Sequence, residues 1–256
     1  AAQQGTVFDV MDNRGKLLGW EAVGRLDLPG GFCTGALIAR DIVLTAAHCV
    51  HDRASGQPVA AERITFRAGY HRGTEITARR VRRWVVPTAY AALMTRGEMR
   101  MTGAAVASDV ALLQLESPVS AAEADPFRVH EMPAEGAVVS VASYGEGRAE
   151  VLSREPGCHV TGRFRGDVLG FDCDVTFGSS GAPVFLRENG RLRILSVISS
   201  GTGRGVAYGP SLPELVATLR GRLMQEEARP KVTAGARRIT VGGNTREGIG
   251  ARFVRP

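Results

Sequence analysis

Two segments of the chain combine residue types that can transfer an acyl group. Residues 42–50 read Ile-Val-Leu-Thr-Ala-Ala-His-Cys-Val and residues 178–184 read Gly-Ser-Ser-Gly-Ala-Pro-Val, placing His48 and Ser180 in alanine- and glycine-crowded settings. A serine hydroxyl is a poor nucleophile until an imidazole takes its proton, and the imidazole needs a buried carboxylate to fix its tautomer and stabilise the imidazolium. Asp109 supplies such an acid in Ser-Asp-Val-Ala-Leu-Leu-Gln-Leu (108–115), at the mouth of an apolar run that reads as a buried strand. The expected roles are nucleophile for Ser180, proton shuttle for His48 and orienting group for Asp109. His51, His71, His130 and His159 have no comparable context and read as surface or structural residues. A zinc site built on His48, Cys49 and His51 is not expected, because no C-x-x-C pair or second ligand cluster accompanies them. Neither a metal nor an organic cofactor is implied.

The order His48, Asp109, Ser180 is that of chymotrypsin-like enzymes rather than of subtilisins or α/β-hydrolases. With Cys33-Thr-Gly-Ala-Leu-Ile, Leu44-Thr-Ala-Ala-His-Cys, Asp109-Val-Ala-Leu-Leu and Gly178-Ser-Ser-Gly-Ala-Pro in sequence, the chain resembles the trypsin/chymotrypsin family of serine endopeptidases over roughly residues 5–227. It is most similar to the bacterial secreted branch that includes the glutamyl endopeptidases. The resemblance implies an all-β fold of two antiparallel six-stranded β-barrels with a C-terminal helix, protein or peptide substrates, and hydrolysis through an acyl-enzyme. In Gly-x-Ser-Gly the nucleophile is the third residue, so Ser180 is chosen over Ser179. Gly178 permits backbone that side chains resist, and its N–H with that of Ser180 would form the oxyanion hole. The resemblance further implies a disulfide beside the base, Cys33 with Cys49, and with it Cys158 with Cys173. Ser199, Ser200 and Gly201 match the edge segment that pairs with substrate backbone. Asp174 stands six residues before Ser180, the spacing of the acid that selects Arg or Lys, which gives a lean toward basic substrates. Val175 and Ile198 replace the Thr and His of glutamate readers, so glutamate specificity is not expected. Ser179 stands where the digestive enzymes have an acid for a freed N-terminus, so activity without a trypsin-style switch is expected, with the loop held by other contacts. The alternative reading is a proteolytically silent binding protein on the same fold.

Elements that could position these residues follow from pattern and composition. A chain of 256 residues with 44% apolar content can bury a sizeable core. Short apolar runs punctuated by Gly, Pro, Asn and Asp between residues 17 and 216 are the signature of barrels. Strands are expected at Thr34–Ala39, Ile42–Thr45, Ile64–Ala68, Val81–Val86, Ala111–Leu115, Val138–Ser143, Cys158–Thr161, Val168–Cys173, Pro183–Leu186 and Leu192–Ser199. Barrel one is expected over about 17–120 and barrel two over about 134–210, within a protease domain of residues 1–227. Leu212, Leu215, Val216, Leu219 and Leu223 recur at helical spacing, which predicts a closing helix over about 211–227 with Ser211 as N-cap.

Four cysteines, which sequence alone could pair in three ways, point to an oxidising compartment. No apolar run reaches the length of a membrane span. With a start at Ala1-Ala-Gln-Gln, the expectation is a secreted or periplasmic protein whose export signal has been removed. Residues 228–256 carry seven basic residues against Glu247, which accounts for the whole net charge of +6. This basic extension reads as a solvated or strand-forming segment without a ligand, with contact to an anionic surface as the alternative, and no specific nucleic acid is predicted. The cluster Arg79, Arg80, Arg82 and Arg83 reads as one charged, solvated strand face, and Met94, Met99 and Met101 as packing fillers in an irregular loop.

Overall fold

The computed structural model describes residues 8–52, 55–95, 102–130, 135–202 and 205–228. A two-residue strand β1 (Asp9–Val10) and a one-turn helix α1 (Arg14–Leu17) lead into β2 (Val23–Leu28), β3 (Gly31–Ala39), β4 (Ile42–Thr45), β5 (Thr65–Ala68), β6 (Thr77–Val85) and β7 (Ala111–Leu115). These six close an antiparallel barrel in the order β2-β3-β4-β7-β6-β5. Helices α2 (Thr88–Thr95) and α3 (Gly103–Ala107) fill the excursion between β6 and β7. Every residue of β4 and β7 is buried, and α4 (Pro213–Ala228) packs on β6 and β7. Two covered faces explain why Ala-Leu-Leu-Gln-Leu shows no apolar–polar alternation. The closing helix begins at Pro213 and buries Val216, Leu219 and Leu223, with Leu212 buried just ahead of it.

The second unit holds β8 (Arg128–Val129), β9 (Val138–Ser143), β10 (Ser153–Phe164), β11 (Val168–Phe171), β12 (Pro183–Glu188), β13 (Arg191–Val197), β14 (Ser200–Gly201) and β15 (Ala207–Pro210). Their order is β14-β15-β11-β10-β9-β12-β13-β8, with β1 added on β10. The second expected barrel takes the form of a curved sheet in which β13 and β15, each next to the last strand at its end, meet without a ladder. Ser196 Oγ donates to Pro210 O at 2.8 Å and Ser199 N–H to Tyr208 O at 2.9 Å across this seam. The cause is local: Pro210 has no N–H to give, and a Cβ at Gly209 would stand 2.1 Å from Val197 O, so the strands touch too closely for regular pairing.

The sequence reading passed over β2 and β15, and it placed Met94 in a loop where the structure has α2. Met99, Met101 and the basic segment 229–256 lie outside the described residues. The arginine cluster does lie on a strand, β6, with Arg80 and Arg82 exposed while Arg83 reaches Gln114 and the carbonyl of Leu223.

Candidate active site

The register of barrel one brings the base and the acid together. Thr45 pairs with Ala111 across β4 and β7, so His48, just past the end of β4, and Asp109, just ahead of β7, emerge at the same barrel end. His48 lies in a short 3₁₀ turn, Ala47–Val50. Its backbone N–H donates to Asp109 Oδ1 at 2.9 Å and its Nδ1 lies 2.7 Å from Oδ2. Asp109 is 1% exposed. Burial pushes its carboxyl pKa up, but the His48 ring, the Ser199 hydroxyl and the His48 N–H outweigh this and hold it below the ordinary value. Ser199 Oγ donates to the same Oδ2 at 2.6 Å. The carboxylate therefore carries three hydrogen bonds, an arrangement that keeps it ionised and fixes the proton of His48 on Nδ1, with Nε2 left to accept. Sequence reasoning assigned Ser199 to substrate backbone and missed this contact; no local motif distinguishes a serine that will meet an acid 90 positions away.

Ser180 and His48 line the same cleft, of about 780 Å³. No hydrogen bond joins Ser180 Oγ to His48, as is common for catalytic pairs before substrate binds. The loop that carries Ser180 is fixed peptide by peptide. Every peptide described is free of cis bonds, so N–H and C=O of each unit point opposite ways. Phe177 O accepts from Glu146 N–H at 2.6 Å and Ser179 O from Ala182 N–H at 2.9 Å. Pinning these two carbonyls turns the N–H groups of Gly178 and Ser180 the other way, and neither of those donates to an acceptor among the described residues. Gly178 has φ +87°, and a Cβ there would stand 2.3 Å from Tyr144 O, so the glycine is required for both conformation and space. Two unspent donors on the loop that carries the serine suit a developing oxyanion.

The expected substrate residues divide. Ser199, Ser200 and Gly201 line the cleft, and β14 is the outermost strand of its sheet, a free edge for strand addition. Asp174 is not among the lining residues. Its N–H is held by Glu155 Oε2 at 2.8 Å. Glu155 is buried, and burial raises its pKa to about 7 despite the Asp174 N–H. The half-buried Arg148 guanidinium interacts with both carboxylates and stacks 3.6 Å from the Phe8 ring. The cleft wall is instead built from Val175, Ile198, Tyr90, Met94 and a Phe177 that is 70% exposed, with Asp52 and Glu146 also on the lining. His51, expected to be structural or superficial, also lines it while its Nδ1 meets Ala47 O at 2.9 Å. Its pKa is lowered chiefly by burial.

Both disulfides, Cys33–Cys49 and Cys158–Cys173, are present. The sulfurs near His48 are consumed by the first, so the trio Cys33, His48 and Cys49 offers a metal only one nitrogen.

The family model described as a trypsin-like peptidase domain matches residues 33–193. No curated protein matches. Among solved structures, a Glu endopeptidase bound to MPD is 19% identical with a TM-score of 0.67, covering 87% of this chain and 97% of its own. The protease Anisep from Arthrobacter nicotinovorans is 20% identical, TM-score 0.63, covering 79% and 94%. A thermostable serine protease, AL20, from an extremophilic microorganism is 21% identical, TM-score 0.62, covering 80% and 97%. These likenesses concern the fold.

Proposed function

Since the chain belongs to the trypsin-like peptidase family, we propose that it works as a secreted serine endopeptidase whose acyl-enzyme forms on Ser180. The observation that carries this is the buried Asp109 carboxylate bonded to His48 at 2.7 Å in a cleft that also contains Ser180. Ser180 Oγ bonds to the scissile carbonyl carbon as its proton passes to His48 Nε2, and the oxygen's new charge falls to the N–H groups of Gly178 and Ser180. The C–N bond then breaks and the amine leaves with the proton from His48. A water molecule repeats the sequence, giving up its proton to His48 and freeing the acid and Ser180.

Substrate backbone adds to Ser199–Gly201, and the side chain before the cleaved bond rests against Val175 and Ile198. Asp174 is withheld, so the preference is for apolar side chains over Arg or Lys. The two disulfides fit an oxidising compartment, and no helix among the described residues is long and apolar enough to cross a membrane. Residues 1–227 act as the catalytic domain, and the basic segment 228–256 serves attachment to an anionic surface.

A fluorophosphonate probe tests the reaction: the wild type should be labelled, and Ser180→Ala and His48→Ala should not. An unlabelled wild type across neutral and mildly alkaline pH would favour the silent binding protein. A peptide-library digest read by mass spectrometry then tests the apolar preference, which cleavage confined to Arg and Lys would overturn.

A further inference from the structure

Thr34, on β3 of the first barrel, is fully buried and sits against the nucleophile loop of the second. Its backbone N–H donates to Ser180 O at 2.9 Å, and its hydroxyl donates to Gly178 O at 2.9 Å. The same hydroxyl accepts from Tyr144 N–H at 3.0 Å, while Thr34 O accepts from the Thr45 hydroxyl at 2.8 Å. Thr34 is thus held from below by Thr45 and grips two carbonyls of the loop from above. These are the carbonyls that alternate with the two already pinned by Glu146 and Ala182, so each peptide from 177 to 181 is fixed at its oxygen. The hydroxyl spends its one proton on Gly178 and a lone pair on Tyr144, leaving no rotational freedom.

Ser179, which is 1% exposed, holds no ion pair; its Oγ donates to Ser143 Oγ at 3.0 Å. We infer that Thr34, through its hydroxyl, is the positioning residue that sets the oxyanion donors of this chain, in a loop where Ser179 offers no carboxylate for an activating ion pair. The inference rests on the acyl-transfer reading above, since it presumes that the Gly178 and Ser180 N–H groups bind a reacting oxygen. Thr34 itself touches no substrate atom. It acts by holding the 178–179 and 180–181 peptides, which bracket the Ser180 N–H, in one orientation.

Thr34→Val keeps size and strand preference but removes the hydroxyl, leaving the Gly178 carbonyl and the Tyr144 N–H without partners; Thr34→Ser restores both contacts. With a wild type that reacts with a fluorophosphonate, Thr34→Val should lose roughly 10²-fold in kcat, the scale of an ångström-sized misplacement, with KM within about threefold. A peptide boronate, whose tetrahedral adduct occupies the oxyanion hole, should weaken by the same factor, whereas the product peptide should bind as before. Thr34→Ser should recover to within about threefold of wild type. A folded Thr34→Val with wild-type kcat, or a Thr34→Ser variant as impaired as Thr34→Val, overturns the inference. Should Thr34→Val fail to fold, Thr34→Ala and Thr34→Ser carry the comparison with the same boronate readout. A wild type that does not react with the fluorophosphonate overturns the acyl-transfer reading instead, so the two failures are distinct.

Discussion

Asp109→Asn offers the sharpest test of the base and acid because the structure dictates which way the amide must turn. His48 N–H points at Oδ1 from 2.9 Å, so an NH₂ placed there would face another donor. The amide oxygen therefore takes the Oδ1 position and the NH₂ takes Oδ2, where it meets both Nδ1 at 2.7 Å and the Ser199 hydroxyl at 2.6 Å. The Ser199 hydroxyl can turn to accept. Nδ1 must give up its proton to accept as well, which moves the ring proton to Nε2, where it blocks the nucleophile. The imidazolium that forms during the reaction also loses its counter-charge. At 2.7 Å and an effective dielectric of about 20, that interaction amounts to about 6 kcal/mol. At 1.36 kcal/mol per decade, a fall of about 10⁴-fold in kcat/KM follows. A chromogenic peptide assay with active-site titration measures it, and circular dichroism checks the fold. A folded Asp109→Asn enzyme within about tenfold of wild type would refute both the tautomer argument and the role of Asp109.

Three further outcomes are expected. Gly178→Ala forces a Cβ to 2.3 Å from Tyr144 O at φ +87° and should cost about 10²–10³-fold in kcat, with steady-state kinetics showing little loss as the contrary result. Glu155 is raised to about 7, so the folded protein binds a proton that the unfolded chain releases between its ordinary pKa of 4.5 and 7, and stability falls as pH rises through that window. Thermal melts of Glu155→Gln should lose that slope, and an unchanged slope would assign it elsewhere. Replacing Cys33 and Cys49 by serine opens a loop of separation 16 and should cost about 3 kcal/mol by denaturant unfolding; a cost below about 0.5 kcal/mol would show that the bridge does not constrain the unfolded chain.

The residues proposed to carry chemistry stand out in the sequence because each sits in a run whose composition is improbable for ordinary packing: Thr-Ala-Ala-His-Cys, Asp-Val-Ala-Leu-Leu and Gly-Ser-Ser-Gly. The strands β4 and β7 were legible as well, since burial on both faces leaves an unbroken apolar signature. β15 was not, because Ala-Tyr-Gly-Pro holds two residues that disfavour strands, and its place is set by contact with β11. The same holds for the sheet seam, which depends on how closely Gly209 meets Val197. Asp174 shows the limit of spacing arguments: its distance along the chain from Ser180 suggests a specificity acid, yet it does not line the cleft, and its backbone N–H is held by Glu155, remote in sequence. Thr34 and Ser199 act through partners on the opposite barrel, 144 and 90 positions away, and no local pattern encodes such pairings.

Cys33 is joined to Cys49, and their immediate neighbours are Thr34 and His48. One covalent staple thus ties the arm that grips the nucleophile loop to the turn that carries the imidazole. On the proposed mechanism, barrel one behaves as a jig that holds the imidazole and grips the loop by which the second sheet delivers a single reacting oxygen. The proposal then expects that exchanging cleft walls such as Val175 and Ile198 redirects cleavage without re-aiming the atoms that make and break bonds.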